Sequence, residues 1–471
     1  MNNIKLAWRN LWRNRRRTLI TAASVFFAVF FALFFRSLQL GSYDHMYKNA
    51  IESYSGYLQI QQEDWWNDKT IDNSFRYTDS LNERILDDKN VTGTIPRFES
   101  FALASSGPNT KGVMVLGIDP EKEQRLSKVK DKKVKFLLTA KAVEKICEDE
   151  NLPQKTRDMA DKVEGNAYST VDRFLSDLSL DPGRRDEFLP ILESYAGFQN
   201  GAIQKGEPGA WIGSGLSDYM ELDIGDTLVL ISQGYHGTTA AGKYEVKGLI
   251  KQPTPELDNK VVYLPVDIAR QLFNADGMLT SIALDLKNTD DKAIRETSIR
   301  LSKVIPGSTR MIDWREMNEI MIQQMEADNK SGMIMIGILY LVIAFGVFGT
   351  VLMMTAERKR EFGVLVAIGM QKTKLASIIS LEMLYIGLLG ILGGMLVGAI
   401  GITIGVSNPI VFKGEMALIF EEYGMEPKLV FAGVGTYFLW QSFIVGLMVL
   451  ISIVHPVRKI LGLEVVNALR A

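Results

Sequence analysis

The chain has 471 residues, a formal net charge of −2 and a mean hydropathy of +0.05. These averages conceal a partition: residues 41–330 hold 47 of the 55 acids but 36 of the 53 basic residues, a balance of about −11. That excludes a basic nucleic-acid-binding face there, and the single cysteine, Cys147, excludes an intramolecular disulfide.

Residues 1–17 carry Lys5, Arg9, Arg13, Arg15, Arg16 and Arg17 and no acid. A helix over 2–14 places Ile4, Trp8, Leu11 and Trp12 on one face, which suits a cytoplasmic interfacial helix or simply the start of a first span. The basic cluster reads as an anchor to anionic membrane lipid. Thr18–Phe35 is free of charge. A helix needs about 20 apolar residues to cross a bilayer, so 18–40 is the first expected span. Arg36-Ser37-Leu38-Gln39-Leu40 offers no small-x-small cleavage site, which predicts an uncleaved signal anchor.

Residues 41–330 form the large polar segment. The helical pattern continues to about Tyr54, and Ser55–Gln61 then alternates like a strand. A short helix is predicted over 80–88 and strands over 91–118. From about 121 to 198 charge density rises and helical periodicity dominates, with Leu137, Ala140, Val143, Ile146 and Cys147 followed by Val171, Phe174, Leu175 and Leu178. Pro153, Pro182-Gly183 and Pro190 are expected to break this stretch into several helices. It reads as a helical insertion in an α+β domain large enough for two subdomains, with Cys147 as a small buried hydrophobe. Strand patterns resume at Trp211, 226–231, 243–250 and 261–264. Residues 280–312 read strand, helix, strand, and a helix over 314–325 leads towards the second span.

Ser331–Ala356, Met383–Phe412 and Leu429–Val457 are the remaining uncharged stretches. They place the second span at 331–356, the third at 375–406 and the fourth at 429–457. Only helices satisfy their own backbone in lipid. The loop 357–374 carries Arg358, Lys359, Arg360, Lys372 and Lys374 against two acids. The tail 458–471 carries Arg458, Lys459 and Arg470 against Glu464. The loop 407–428 is acidic, with Glu415, Glu421, Glu422 and Glu426 against Lys413 and Lys428. The positive-inside rule then puts both termini and the 357–374 loop in the cytoplasm and residues 41–330 outside. The fold class is therefore a membrane α-helical protein with four transmembrane helices, N-in and C-in, and a large α+β extracytoplasmic domain.

No catalytic, metal or cofactor residues are expected. His45, His236 and His455 lack metal-ligand spacing, and no serine elbow or His-Glu-x-x-His occurs. The plentiful acids of the outer segment read as a solvated face. Gly237–Tyr244 nearly matches a phosphate-binding loop, but Tyr244 replaces the needed hydroxyl residue and two strands flank it, so it reads as a hairpin loop. Glu382, at the cytoplasmic end of the third span, is either a functional membrane acid or a structural one that snorkels or caps.

The loop Glu357-Arg358-Lys359-Arg360-Glu361-Phe362-Gly363-Val364-Leu365-Val366-Ala367-Ile368-Gly369-Met370 resembles the loop after the second span in permeases of the FtsX/MacB/LolC-LolE group, the type VII ABC transporters. Trp8–Thr18, Leu381-Glu382-Met383-Leu384, Pro456-Val457-Arg458-Lys459 and Val466–Arg470 are similar to that family's other signatures, in order. Gly56–Ile60, Gly117–Pro120 and Gly225–Thr227 look most like the lipoprotein-releasing LolC/LolE branch, while the insertion at 121–198 departs from it. The resemblance implies a MacB-like periplasmic core in a bacterial inner membrane. It implies a permease that binds no ATP itself and works with a cytoplasmic ABC ATPase dimer and a second permease, in a homodimer or a heterodimer. The coupling helix would use Phe362, Val364, Leu365 and Ile368 to fill an ATPase groove. Arg358, Arg360 and Glu361 would set its orientation, and Gly363 and Gly369 would belong to the same motif, with Gly369 letting the chain turn. A plain interfacial helix is the alternative for this loop. Lipoprotein, handed to an extracytoplasmic carrier, is the leading cargo. Mechanotransmission to a cell-wall hydrolase, peptide or antibiotic efflux, and an ATPase-free receptor are the competing readings.

Overall fold

The structure is a computed structural model that describes residues 3–13, 15–180, 182–412, 416, 419–420 and 428–464. Lys413, Glu415, Glu421, Glu422 and Glu426 of the acidic loop and the Val466–Arg470 signature lie outside the described residues. Two compact units emerge: a helical unit of Met1–His45, Gln323–Ile410 and Leu429–Ala471, and an inserted domain of Met46–Ile322 with Val411–Lys428.

In the helical unit, α1 spans Asn3–Arg13, α2 Arg15–Ala50, α3 Glu319–Glu357, α4 Lys359–Ala367, α5 Lys372–Ser407 and α6 Thr436–Leu461. Four of them (α2, α3, α5 and α6) are long and apolar enough to cross a membrane. The fourth is helical only from Thr436, after Gly433 and Gly435, although its apolar run begins at Leu429. Glycine costs a helix about 1 kcal/mol relative to alanine, and hydropathy does not register that. On α1, Ala7 and Leu11 point into the unit while Trp8 and Trp12 are exposed. The inward side thus carries aliphatic residues, and the tryptophans are on the exposed side.

Glycine spacing sets how closely α5 packs on α2. Gly390 and Gly394 lie one turn apart and face Ala22, Val25, Phe26 and Val29. A Cβ at Gly390 would meet the Ala22 carbonyl oxygen at 2.7 Å, and one at Gly394 the Phe26 carbonyl oxygen at 2.8 Å. Small residues at four-residue spacing let backbones approach in lipid, where dispersion replaces the hydrophobic effect. The opposite ends of α2 and α3 from α4 are joined by polar contacts: Arg36 donates to Asn329 Oδ1 (2.8 Å) and Tyr43 to Asp328 Oδ2 (2.5 Å).

The inserted domain is built on one nine-stranded sheet: β1 Leu58–Gln62, β2 Val91–Ser106, β3 Asn109–Ile118, β4 Gly209–Gly213, β5 Thr227–Gln233, β6 Thr239–Ile250, β7 Val261–Pro265, β8 Ser281–Leu286 and β9 Thr309–Asp313. The order is β9-β1-β8-β2-β3-β7-β4-β6-β5, and β5 pairs back onto β2 through Leu103↔Ile231. The 16-residue β2 makes this possible, because its first half pairs with β8 and its second with β5. Closure removes the free edge that β5 would otherwise present. Local capping fixes the flanking helices. The Thr78 hydroxyl accepts from Leu81 N at the start of Asp79–Leu86, and Asp313 caps Trp314–Met317. Asn318 then interrupts the helix expected to run unbroken from Trp314.

The insertion forms helices Ala140–Glu148, Gln154–Lys162, Val171–Asp177 and Arg185–Ala196 around a core of its own, in which Phe136 stacks on Phe174 at 4.2 Å. It also holds a small ribbon, Phe136–Leu137 with Ala167–Tyr168. Three expectations need correction here. Pro190 does not break a helix; it lies within Arg185–Ala196 on the exposed side, where water can satisfy the freed carbonyl. Cys147 is half-buried, its Sγ 3.5 Å from the Arg157 carbonyl. The Gly237–Tyr244 segment is not a loop: the hairpin turn lies at 234–238, and Thr239–Tyr244 is already β6.

The acids are not all solvated either. Glu99, Glu123, Asp177 and Asp258 are buried, and each has a partner. Arg97 forks onto Glu123 (Nε to Oε2 3.0 Å, Nη2 to Oε1 2.5 Å), and Tyr54 donates to Glu99. Arg173 lies 3.2 Å from Asp177, and Asp258 accepts from Ser214 and from the Gly215 and Gln252 amides. A buried carboxylate persists only with such partners. Beside this node, burial pushes the Lys132 amine down to about 8, even though Glu123 opposes the shift. The unfolded chain therefore binds more protons than the fold between about pH 8 and the ordinary lysine value, and stability rises with pH across that window. Lys132→Met is expected to reduce the rise, leaving the part due to Lys111 and Lys133, which burial also lowers, and to stabilise the chain at pH 7 by up to about 3 kcal/mol. Thermal unfolding at pH 7 and pH 9.5 checks both.

Candidate functional site: the loop between the second and third long helices

The sequence of residues 357–374 dictates a tight helix–break–helix–turn. α3 ends at Glu357, and Arg358 leaves helical geometry at φ −96° and ψ 6°. After nine residues of α4, Gly369 adopts φ +100°. The Met370 amide bonds the Leu365 carbonyl (3.0 Å) and the Gly369 amide that of Val366 (3.0 Å). This is the helix-ending arrangement that glycine favours, since a side chain at that φ is strained. α5 begins two residues later at Lys372, so α4 is held as a short strut between two long helices.

α4 has two unlike faces. Arg358, Phe362 and Gly363 are buried and Leu365 is half-buried, while Arg360, Glu361, Val364, Ile368 and Gly369 are exposed. Positions 357, 360, 361, 364, 367 and 368 recur at helical spacing, so the exposed residues share one side. Ile368, at 77% exposure, stands at the end of that side.

The inward face is pinned by one ion pair. Arg358 Nη1 donates to both carboxylate oxygens of Glu382, each at 2.9 Å, and the two side chains are 6% and 3% exposed. Arg358 Nε reaches Glu361 Oε2 at 3.3 Å, and the guanidinium lies 5.3 Å from the Phe362 ring centroid. Arginine can satisfy a carboxylate and lie over an aromatic face at once because its fork is planar. Leu375, Ala376, Ile378 and Ile379 of α5 are buried nearby along the chain, so the pair sits among apolar packing, where leaving either member alone is costly.

Three sequence expectations change accordingly. Arg358 does not stand with Arg360 as an outward orienting base, because it is consumed by Glu382. Phe362 cannot fill a partner's groove, because it is buried in the helical unit's own core. Glu382 neither snorkels nor caps. Its partnership with Arg358 was missed, yet a signal existed: an acid beside an apolar span needs a cation, and the 357–374 loop holds the nearest ones in sequence.

Residues 333–465 match the family model for the FtsX-like permease C-terminal domain. An uncharacterised ABC transporter permease of Methanocaldococcus jannaschii is 25% identical over 184 residues, covering 38% of this chain and 43% of that one. The lipoprotein-releasing system transmembrane protein LolC of Neisseria meningitidis serogroup B is 21% identical over 194 residues, covering 40% and 46%. The chain thus spans less than half the length of these curated relatives. Among solved structures, the periplasmic region of MacB from Actinobacillus actinomycetemcomitans aligns at TM-score 0.30 and 9% identity, over 58% of this chain and 94% of that one. The extracellular domain of the noncanonic ABC-type transporter YknZ from Gram-positive bacteria aligns at TM-score 0.28 and 12% identity, over 55% and 98%.

Proposed function

Because residues 333–465 are an FtsX-like permease domain, we propose that this chain is the membrane subunit of an ABC transporter and that α4 is its coupling helix. A separate cytoplasmic ATPase dimer hydrolyses ATP. Two permease copies, identical or related, pass the resulting movement through α2 and α3 to the inserted domain. α4 lies on the cytoplasmic side of a bacterial inner membrane, and the inserted domain lies outside. The cargo is a lipid-anchored or otherwise hydrophobic molecule. The similarity to a protein named lipoprotein-releasing supports lipoprotein as the first candidate.

The observation that carries this reading is the exposed side of α4. Val364 and Ile368 offer apolar anchors, Arg360 and Glu361 flank them with charge, and the buried side is held rigidly. A binding surface needs such a preorganised hot spot with a polar rim. The test is co-purification of the tagged chain in mild detergent. Ile368→Asp places a charge where an anchor would be desolvated. A central anchor carries about 2 kcal/mol or more, so the ATPase recovered with this variant is expected to fall at least tenfold while its unfolding temperature stays within 2–4 °C of the wild type. Undiminished ATPase with Ile368→Asp would remove α4 from the interface.

A further inference from the structure

We infer that Arg358 and Glu382 are positioning residues, a strut through which displacement of α4 enters α5. The inference rests on the coupling-helix reading and goes beyond it by assigning the route.

α4 has two covalent connections, and they are not equivalent. Towards α3 the link is the single residue Arg358, whose backbone leaves helical geometry. Towards α5 the link is the Ile368–Gln371 turn, with Gly369 in a conformation that glycine alone adopts freely. Either connection alone would act as a hinge. A hinge absorbs rotation by changing φ and ψ and transmits little of it.

The guanidinium of Arg358 bypasses the glycine hinge. It ties the base of α4 to Glu382, ten residues into α5, with two equal 2.9 Å bonds. Both charge-assisted bonds leave the one nitrogen Nη1, which is thereby centred on the carboxylate. Phe362, buried beneath the guanidinium, holds the same side of α4 to the core. Together with the turn, the pair anchors α4 to α5 at two separated levels, so α4 and the first turns of α5 move as one body.

From α5 the movement has a defined next step. Gly390 and Gly394 lie two and three turns beyond Glu382 and meet α2 at backbone distance, so α5 cannot slide past α2 without displacing it. α2 is one continuous helix from Arg15 to Ala50. The route is therefore α4, Arg358–Glu382, α5, the glycine contact and α2.

The test uses the complex of the full chain with its ATPase, in a Cys147→Ser background, with nitroxides at Ile338 on α3 and Leu392 on α5. Both sites are exposed. The distance between them is measured by double electron–electron resonance, without nucleotide and with ATP plus vanadate. In the wild type the distribution is expected to shift on trapping. In the apolar pair Arg358→Met with Glu382→Leu, which leaves no charge unpaired, the shift is expected to fall at least twofold. ATPase binding and hydrolysis should persist, which a merely unfolded variant would not allow. Arg358→Lys, which keeps the charge but loses the Nε contact to Glu361, is expected to fall between. A shift of wild-type size in the apolar pair, with ATPase bound, would overturn the strut alone. Recovery of the wild type without any ATPase would overturn the coupling-helix reading and the strut with it.

Discussion

Replacing Glu382 by alanine is expected to cost the helical unit about 3–5 kcal/mol, the usual cost of leaving one member of a buried ion pair without its partner. Arg358 would be left in an apolar setting with only the more distant Glu361 contact. Arg358→Ala should cost a similar amount, because a lone carboxylate is equally ill-placed. The double replacement Arg358→Met with Glu382→Leu is expected to lie near the wild type or above it, since well-packed apolar residues often equal a buried pair in stability. The double-mutant cycle, read from unfolding in detergent, should therefore be strongly non-additive. Near-additive losses would mean that the two side chains are not coupled as the geometry indicates.

The second large effect is expected at the α5–α2 contact. Gly394→Ala adds one methyl group that would meet the Phe26 carbonyl oxygen and Val29 Cβ, both at 2.8 Å. A backbone oxygen cannot rotate aside, so the helices must separate, at a cost of about 1–3 kcal/mol for overpacking. Gly390→Ala meets the Ala22 carbonyl oxygen at 2.7 Å in the same way. The double alanine variant should lose more than either single one. Gly401→Ala is the matched control on the same helix, because a Cβ there meets nothing within 4 Å. It should unfold within about 1 kcal/mol of the wild type. Gly→Ala by itself favours a helix, so a Gly394→Ala variant as stable as Gly401→Ala would show that close approach is not at issue.

Much of this architecture can be read from residue order. The four long apolar helices are legible because each contains an uncharged run of 18 residues or more, which has few other causes. The insertion is legible because its charge density and periodicity differ from the strands around it. The boundary at Thr436 is less legible, since Gly433 and Gly435 carry no charge to interrupt the apolar run but are poor in a helix.

The closure of β2 onto β5 is not legible, because it depends on a pairing between residues more than a hundred positions apart. The facing of α4 is hidden for a different reason. Phe362 and Leu365 on one side, and Val364 and Ile368 on the other, are all apolar. The pattern of α4 alone cannot say which side packs inward; the position of Glu382 on α5 decides it by capturing Arg358. The buried acids show the same limit. Glu99 and Glu123 look like any other surface acids until Tyr54 and Arg97 are brought to them by the sheet.

The central claim is that the exposed side of α4 meets a protein rather than lipid. Its most direct measurement is site-specific photo-crosslinking in intact cells, with a benzophenone amino acid placed in turn at Ile368, Val364 and Phe362. A crosslinked ABC ATPase is expected from Ile368 and Val364 and none from Phe362, which is buried. Crosslinking of Ile368 and Val364 to lipid alone would contradict it and make α4 a plain interfacial helix.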